Sequence, residues 1–137
     1  LTAWIVGKTN RFKAAVVAKP VINWISFALT ADHALYFSTF WFDGPAWEKT
    51  EDYWARSPLS LVGNVSTPTM LLTGESDYRT PMSETEQYYQ ALKQRKVDTM
   101  MIRIPGAPHG IAGRPSRLIA KVNNILAWFE RYRPATP

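Results

Sequence analysis

The stretch LLTGESDYRTP at residues 71–81 passes from a buried strand to a polar loop within a few positions. Its apolar start is typical of a strand that is buried on both faces, and Gly74 ends that pattern. Asp77 follows in a turn that Pro81 closes, and a helical sequence comes next. A strand, an acid-bearing loop and a helix in this order predict the carboxyl edge of a parallel sheet, where α/β proteins bind their ligands.

Three apolar runs have the character of strands in such a sheet. KAAVVAKP occupies residues 13–20, TPTMLLTG residues 67–74, and DTMMIRIPG residues 98–106, where Pro and Gly end the pattern. Near-continuous apolar runs of this length are expected where helices cover both faces of the sheet. We therefore predict about three parallel strands.

The segments around these strands have helical patterns. LTAWIVG opens the chain, and in MSETEQYYQALKQRK Ser83 and Glu86 match an S-x-x-E capping box. The last helix has one apolar stripe, and Ser116 is placed to cap its start. The stripe consists of Leu118, Ile119, Val122, Ile125, Leu126 and Phe129.

The order of these elements predicts an α/β fold. Strands that alternate with helices form right-handed β-α-β crossovers and a parallel sheet. The segment 20–58 is rich in aromatic residues without a regular period, and we expect it to form helices and loops above the sheet. We assign residues 1–133 to one domain and residues 134–137 to a disordered tail.

Composition excludes several classes of function. The chain has 137 residues, a net charge of +5 and no cysteine, so disulfides, zinc-thiolate sites and thiol catalysis are excluded. Its Lys and Arg residues are scattered, and the densest cluster, KQRK at 93–96, suits a solvated helix end rather than a nucleic-acid surface. No apolar run is long enough for a membrane span, and no leader pattern opens the chain. We expect no metal or cofactor, and a cytoplasmic location is the default.

Two polar loops that leave successive strands carry an acid and a base. Asp77 follows the second strand and His109 follows the third. Adjacent parallel strands lie about 4.8 Å apart, so loops that leave the same edge can touch. An Asx turn and a surface histidine explain each residue alone. Together, an acid followed by a histidine favour the second half of a Ser-His-Asp triad.

The nucleophile of such a triad is missing from these residues. None of the serines lies in the G-x-S-x-G elbow that α/β-hydrolases use, and the elbow belongs upstream of both partners. The helix that opens the chain also lacks a residue that could serve as its N-cap. We therefore expect the sequence to be cut from a longer chain, with the serine before Leu1.

The chain resembles the catalytic domain of prolyl oligopeptidase family serine peptidases, and the acylaminoacyl-peptidase and dipeptidyl-peptidase branch is closest. The resemblance runs from YWARSPLSLVGNVSTPTMLLTGESDYRTPMSETEQYYQAL through PGAPHGIAGRP to AWFERY. Its most specific parts are G-E-x-D-x-R-x-P with Asp77, Arg79 and Pro81, and the His109-Gly110 pair. The resemblance implies the C-terminal part of an α/β-hydrolase domain and the roles of catalytic acid for Asp77 and base for His109.

The resemblance also implies roles beyond the acid and the base. The family's elbow would place the serine about five residues ahead of Leu1, and its specificity pocket corresponds to Trp24 and Phe27, for which core packing explains the sequence as well. We expect Arg79 to be an ion-pair partner, His33 to lie at the surface, and Arg103 and Arg114 to be solvated charges.

Three functions remain open on the sequence. The first is a fragment of a serine peptidase that cleaves peptides, inert alone and completed by the missing catalytic half and a β-propeller. The second is a non-catalytic binding or assembly module, and an esterase is a third possibility on the same scaffold. An unpaired first strand predicts a dimer or a larger assembly. The sequence does not determine the substrate or distinguish endopeptidase from exopeptidase.

Overall fold

The computed structural model describes residues 1–134, and the rest of the predicted tail, 135–137, lies outside the described residues. Within them the helices and strands alternate as the sequence predicts. The strands are β1 (Ala15–Ala18), β2 (Thr69–Gly74) and β3 (Thr99–Ile104). The α-helices are α1 (Thr2–Val6), α2 (Trp24–Thr30), α3 (Ala34–Phe40), α4 (Thr50–Ala55), α5 (Met82–Gln94) and α6 (Pro115–Arg131). Two 3₁₀ helices occupy Pro58–Asn64 and Ile111–Gly113.

The three strands form one parallel sheet in the order β1-β2-β3, as predicted. The register pairs Ala15 with Thr69 and Gly74 with Ile104, so β2 and β3 end at the same edge. All six residues of β2 are buried because the strand has a neighbour on each side and helices on both faces. This explains why its sequence is apolar without alternation.

The core has one part on each face of the sheet. On the first face, Leu71 packs with Tyr88 and Leu92 of α5, and α1 adds Ala3 and Val6. On the second face, Met70, Leu72 and Ile104 pack with Trp128 of α6. Neighbouring residues of β2 point to opposite faces, so each complete burial of a leucine stabilises a different layer by roughly 1.5–3 kcal/mol.

The aromatic segment forms α2, α3 and α4 with a small core of its own, as expected for 20–58. Ala28, Phe42, Ala46 and Tyr53 are buried there. The rings of Phe42 and Tyr53 are stacked, with centroids 3.6 Å apart. Trp24 and Ile25 at the start of α2 pack against this third cluster, which therefore supports the helix.

The two predicted N-caps are wrong. Helix α5 begins at Met82 after Pro81, so Ser83 already lies in its first turn and makes no capping bond. Glu86 instead accepts a hydrogen bond of 2.8 Å from Arg103. In α6 the first residue is Pro115, whose fixed φ suits that position, and Ser116 therefore comes too late to cap.

The apolar stripe of α6 is less buried than an amphipathic pattern implies. Trp128 is the residue that seals the sheet, and it is 2% exposed. Ile125 is half-buried beside it. The rest of the predicted stripe is exposed: Leu118, Ile119, Val122, Leu126 and Phe129.

Candidate active site

The loops after β2 and β3 meet at the carboxyl edge of the sheet. The amide of Glu75 donates to the carbonyl of Ile104 at 3.1 Å, and the amide of Ser76 donates to the carbonyl of Ala107 at 3.0 Å. These two bonds extend the pairing of the strands beyond the end of β2. They bring the loop that carries Asp77 against the loop that carries His109.

Asp77 and His109 form a hydrogen-bonded pair. The imidazole Nδ1 lies 2.9 Å from Oδ2 of Asp77 and 3.2 Å from Oδ1. The carboxylate side chain is completely buried, whereas the imidazole is 44% exposed. The two residues therefore have the contact expected from the sequence, with the acid sealed beneath the ring and the ring open to solvent.

Three further donors from the same loop hold the carboxylate of Asp77. Oδ1 accepts from the amides of Arg79 at 3.0 Å and Thr80 at 2.8 Å, which is the geometry of an Asx turn. Oδ2 accepts from the hydroxyl of Thr80 at 3.0 Å. The turn and the contact with His109 thus coexist, because the two turn amides bind Oδ1 whereas the imidazole lies closest to Oδ2.

Thr80 is a site residue that the sequence interpretation missed. Its hydroxyl lies 3.0 Å from Oδ2 of Asp77 and 3.4 Å from Nδ1 of His109, and Thr80 is buried. The available signal was the spacing D-x-x-T, since a threonine three residues after a turn-forming Asp can donate back to it.

The pairing determines what the imidazole can do. A carboxylate that accepts from Nδ1–H keeps the proton on Nδ1 and leaves the lone pair of Nε2 free for a proton from a substrate or a nucleophile. Among residues 1–134, Nε2 of His109 has no hydrogen-bond partner. The carboxylate would also stabilise the imidazolium once a proton is taken.

His109 borders a cleft of about 600 Å³ with an aromatic wall. Trp24 and Phe27, which the resemblance assigned to a substrate pocket, both line it, with their rings edge to face and centroids 5.2 Å apart. Phe37 of α3 and Trp41, which follows that helix, complete the wall, and the sequence interpretation missed both. Phe27 is 1% exposed, so it contributes to the core as well as to the cleft.

Basic side chains also border this cleft. Lys19, Arg56 and Arg79 line it together with the aromatic residues. Arg79 forms the predicted ion pair, with Nε 2.7 Å from Oδ1 of Asp32. The hydrogen bond from Arg79 lowers the pKa of Asp32 below its usual value, against a smaller opposing effect of burial.

The other charges considered from the sequence lie elsewhere. His33 is at the surface, as expected, with Nδ1 3.2 Å from Asp32. Arg103 is not a free solvated charge, because it bridges Glu75 at 3.2 Å and Glu86 at 2.8 Å. Arg114 is exposed and immediately precedes α6.

No serine within the described part of the chain donates to His109. Ser26 and Ser57 are instead engaged with Glu84 and the carbonyl of Tyr53. Residues 1–134 contain no cluster of three His, Asp or Glu side chains that could ligate a metal ion. They also contain no helix with the length and apolar character to span a bilayer.

Comparison with known proteins identifies relatives over almost all of the chain. The profile of the prolyl oligopeptidase family matches residues 1–134. The uncharacterized peptidase YuxL of Bacillus subtilis is 41% identical over 134 residues, which cover 96% of this chain and 20% of that protein. The acylamino-acid-releasing enzyme of Arabidopsis thaliana is 30% identical, over 96% of this chain and 18% of the enzyme.

A solved structure agrees with the fold. The uncomplexed acylaminoacyl peptidase of Pyrococcus horikoshii superposes with a TM-score of 0.88 at 26% identity, over 96% of this chain and 22% of that one. The chain thus spans about a fifth of the length of the relatives it matches.

Proposed function

The chain belongs to the prolyl oligopeptidase family, and on that premise we propose that it supplies the acid and the base of a Ser-His-Asp triad that hydrolyses peptide bonds. The observation that carries the proposal is the buried Asp77 carboxylate 2.9 Å from Nδ1 of the half-exposed His109. The serine nucleophile is assigned to polypeptide outside these 137 residues, since no G-x-S-x-G sequence occurs within them.

In the proposed acylation step, Nε2 of His109 takes the proton of the serine hydroxyl as its oxygen attacks the scissile carbonyl carbon. The resulting imidazolium donates its proton to the leaving amine, so the C–N bond breaks and an acyl-enzyme ester remains. In deacylation, the same nitrogen takes a proton from water as the water oxygen attacks the ester carbonyl carbon. It then returns this proton to the serine oxygen as the ester C–O bond breaks, which releases the acid product. Asp77 stays ionised throughout and stabilises the imidazolium.

The lining of the cleft indicates that an apolar side chain of the substrate is the group that is recognised. The aromatic wall of Trp24, Phe27, Phe37 and Trp41 adjoins His109, so a substrate side chain could lie there while its carbonyl faces the imidazole. The relatives named as acylamino-acid-releasing enzymes and dipeptidyl-peptidases make an N-terminal exopeptidase the specific form of this proposal. The missing catalytic half and a β-propeller would complete the enzyme.

An active-site-directed fluorophosphonate tests the proposal. The 137-residue chain alone should not be labelled, because it lacks the hydroxyl and the oxyanion donors that dominate such catalysis. The same chain joined to an upstream segment with a G-x-S-x-G elbow should be labelled. His109→Ala should then abolish labelling, and Asp77→Asn should slow peptide hydrolysis by about 10⁴-fold.

The matched control is His33→Ala. This histidine also contacts an aspartate through Nδ1, but it lies at the surface beside Asp32. We expect full labelling of the control. Labelling of His109→Ala at the rate of the unsubstituted protein would refute the triad and leave the non-catalytic module as the better account. Hydrolysis of acyl esters but not of peptides would favour the esterase.

A further inference from the structure

Helix α2 needs support from outside itself to hold the aromatic wall. It carries Trp24 and Phe27 at its start, yet it has only seven residues, Trp24–Thr30. Isolated helices of this length are unstable in water, since ordering the backbone of the first turn costs more free energy than its one hydrogen bond provides. The position of the wall relative to His109 therefore depends on what holds the two ends of α2.

Glu84 of α5 holds the N-terminal end. Its Oε2 accepts from the amides of Ile22 at 2.9 Å and Asn23 at 2.8 Å, and its Oε1 accepts from the hydroxyl of Ser26 at 2.6 Å. Gln87 donates to Oε1 at 3.3 Å, so four donors surround a side chain that is 0% exposed. A buried carboxylate with this set of partners is a structural anchor and not a solvated helix residue.

The next two amides at this end have partners other than Glu84. The amide of Trp24 donates to Ser57 at 2.9 Å, and the amide of Ile25 donates to the side chain of Asn23 at 3.1 Å. These bonds pair two amides of α2 but do not connect the helix to α5, which follows the loop of Asp77. Glu84, in the first turn of α5, makes that connection across more than 60 residues of sequence.

The C-terminal end of α2 is tied to the same loop. Asp32 follows the helix and accepts from Arg79 at 2.7 Å, and its amide donates to the carbonyl of Tyr78 at 2.9 Å. Both ends of α2 are thus bonded to the segment 78–84, which follows Asp77 directly and includes Thr80. The aromatic wall and the acid that orients His109 form one connected unit.

We propose that Glu84 is a positioning residue, which fixes the position of Trp24 and Phe27, the part of the aromatic wall on α2, relative to His109. The inference rests on the proposed peptidase function, because this relative position matters only if a substrate contacts both the aromatic wall and the imidazole. Glu84 forms no hydrogen bond with Asp77 or His109 and does not line the cleft, so its removal should weaken selection of an apolar side chain more than it slows the chemistry.

The test uses the longer protein that carries these residues together with its nucleophile segment. Glu84→Ala, Glu84→Gln and the control Glu86→Ala are compared on two peptides that differ only in Phe or Ala before the cleaved bond. Glu86 lies on the same helix and binds Arg103 at the surface. Glu84→Ala should raise KM for the Phe peptide about tenfold, a factor that matches the loss of one helix cap.

The variants separate positioning from general support. With Glu84→Ala, KM for the Ala peptide should change less than KM for the Phe peptide, so the preference for the Phe peptide over the Ala peptide decreases. The rate of fluorophosphonate labelling should also change less than KM for the Phe peptide. Glu84→Gln should retain most of the preference, because an amide oxygen can still accept from the amides of Ile22 and Asn23. An equal loss for both peptides, or an unchanged preference in Glu84→Ala, would overturn the inference.

Hydrogen–deuterium exchange separates this inference from the proposed function. Glu84→Ala should accelerate amide exchange within residues 22–30, whereas Glu86→Ala should not. If the unsubstituted protein cleaves neither peptide, the proposed function fails and exchange still decides the anchor. Faster exchange confined to 22–30 would support it, and unchanged exchange there would refute it.

Discussion

Gly74 has the least room of the residues that shape the site. A Cβ on Gly74 would lie 2.1 Å from the carbonyl oxygen of Ala107, which is backbone and cannot move aside as a side chain could. The same carbonyl accepts from the amide of Ser76, three residues before the loop reaches Arg79. The close approach of the two loops, and with it the contact between Asp77 and His109, therefore depends on a residue without a side chain.

Substitution Gly74→Ala should destabilise the domain and separate the acid from the base. Overpacking of a well-packed interior typically costs about 1–3 kcal/mol, and here the clash is with backbone. We expect the midpoint of urea unfolding to fall accordingly, and the histidine Nδ1–H signal of His109 to shift in NMR spectra. Gly63→Ala is the control, because a Cβ at Gly63 meets no atom within 4 Å. Equal midpoints for the two variants would contradict the argument.

At the scale of residues, sequence reasoning reached the groups that local pattern marks. Asp77 and His109 each follow a strand, and neighbouring strands of a parallel sheet bring such positions together. The role of Glu84 could not be predicted from the sequence, because its partners Ile22 and Asn23 lie more than 60 residues away and produce no periodic pattern.

Among the elements, α5 contributes to the core on the first face of the sheet. Tyr88 and Leu92 of this helix are fully buried against Leu71, and the hydroxyl of Tyr88 donates to the carbonyl of Ala3 in α1 at 3.3 Å. Burial raises the pKa of Tyr88 well above its usual value of 10.0. Near the end of α6, burial and a hydrogen bond to Asp98 raise the pKa of Tyr132 to about 12.

These shifts predict a loss of stability in alkali. A tyrosine whose pKa is raised by folding keeps its proton longer in the folded state, so its contribution is complete below pH 10 and falls as pH rises. For Tyr132 the fall spans pH 10 to about 12. For Tyr88 it continues to higher pH. We expect the free energy of unfolding, measured in urea, to decrease over this window.

Tyr88→Phe should make that decrease shallower, because the buried hydroxyl that resists ionisation is gone. Tyr36→Phe, which removes an exposed hydroxyl from α3, controls for the loss of one phenol. Equal slopes for both variants above pH 10 would show that Tyr88 does not contribute to the alkaline transition.

The elements themselves were predictable where a pattern extends over many residues. Each strand was placed to within two residues, since burial on both faces leaves a continuous apolar run. The capping residues of α5 and α6 were not, because proline at or before the first turn starts each helix earlier than Ser83 or Ser116. Periodicity also could not tell that Trp128, and not the wider stripe of α6, covers the sheet.

On the scale of the whole molecule, the surface beside β1 and α6 is unusually apolar. Leu118, Ile119, Val122, Leu126 and Phe129 are exposed on one helix, with Leu126 at 61%. Phe12, which precedes β1, lines a groove with Leu126 and Phe129. Within residues 1–134, strand β1 pairs only with β2 and so has one open edge. Large exposed apolar surface and an open strand edge both favour association.

The 137-residue chain should therefore form dimers or larger assemblies, and two substitutions distinguish how. The amides of Ala15 and Lys19 donate toward β2, to the carbonyls of Pro68 and Leu72, so by alternation the amide of Ala18 faces the open edge. Ala18→Pro removes that donor and should prevent edge pairing. Leu126→Lys places a charge on the exposed stripe and should prevent association through α6. Light scattering at increasing concentration measures the assembly state of both variants.

A variant that becomes monomeric identifies the surface that associates, because each change leaves the other surface intact. If both variants remain associated, exchange of α1 between chains is the better account, since α1 packs on the core through Ala3 and Val6 and neither change affects it. A monomer of the unsubstituted chain at every concentration would contradict the prediction, because the exposed stripe and the open edge would then both be stable in water.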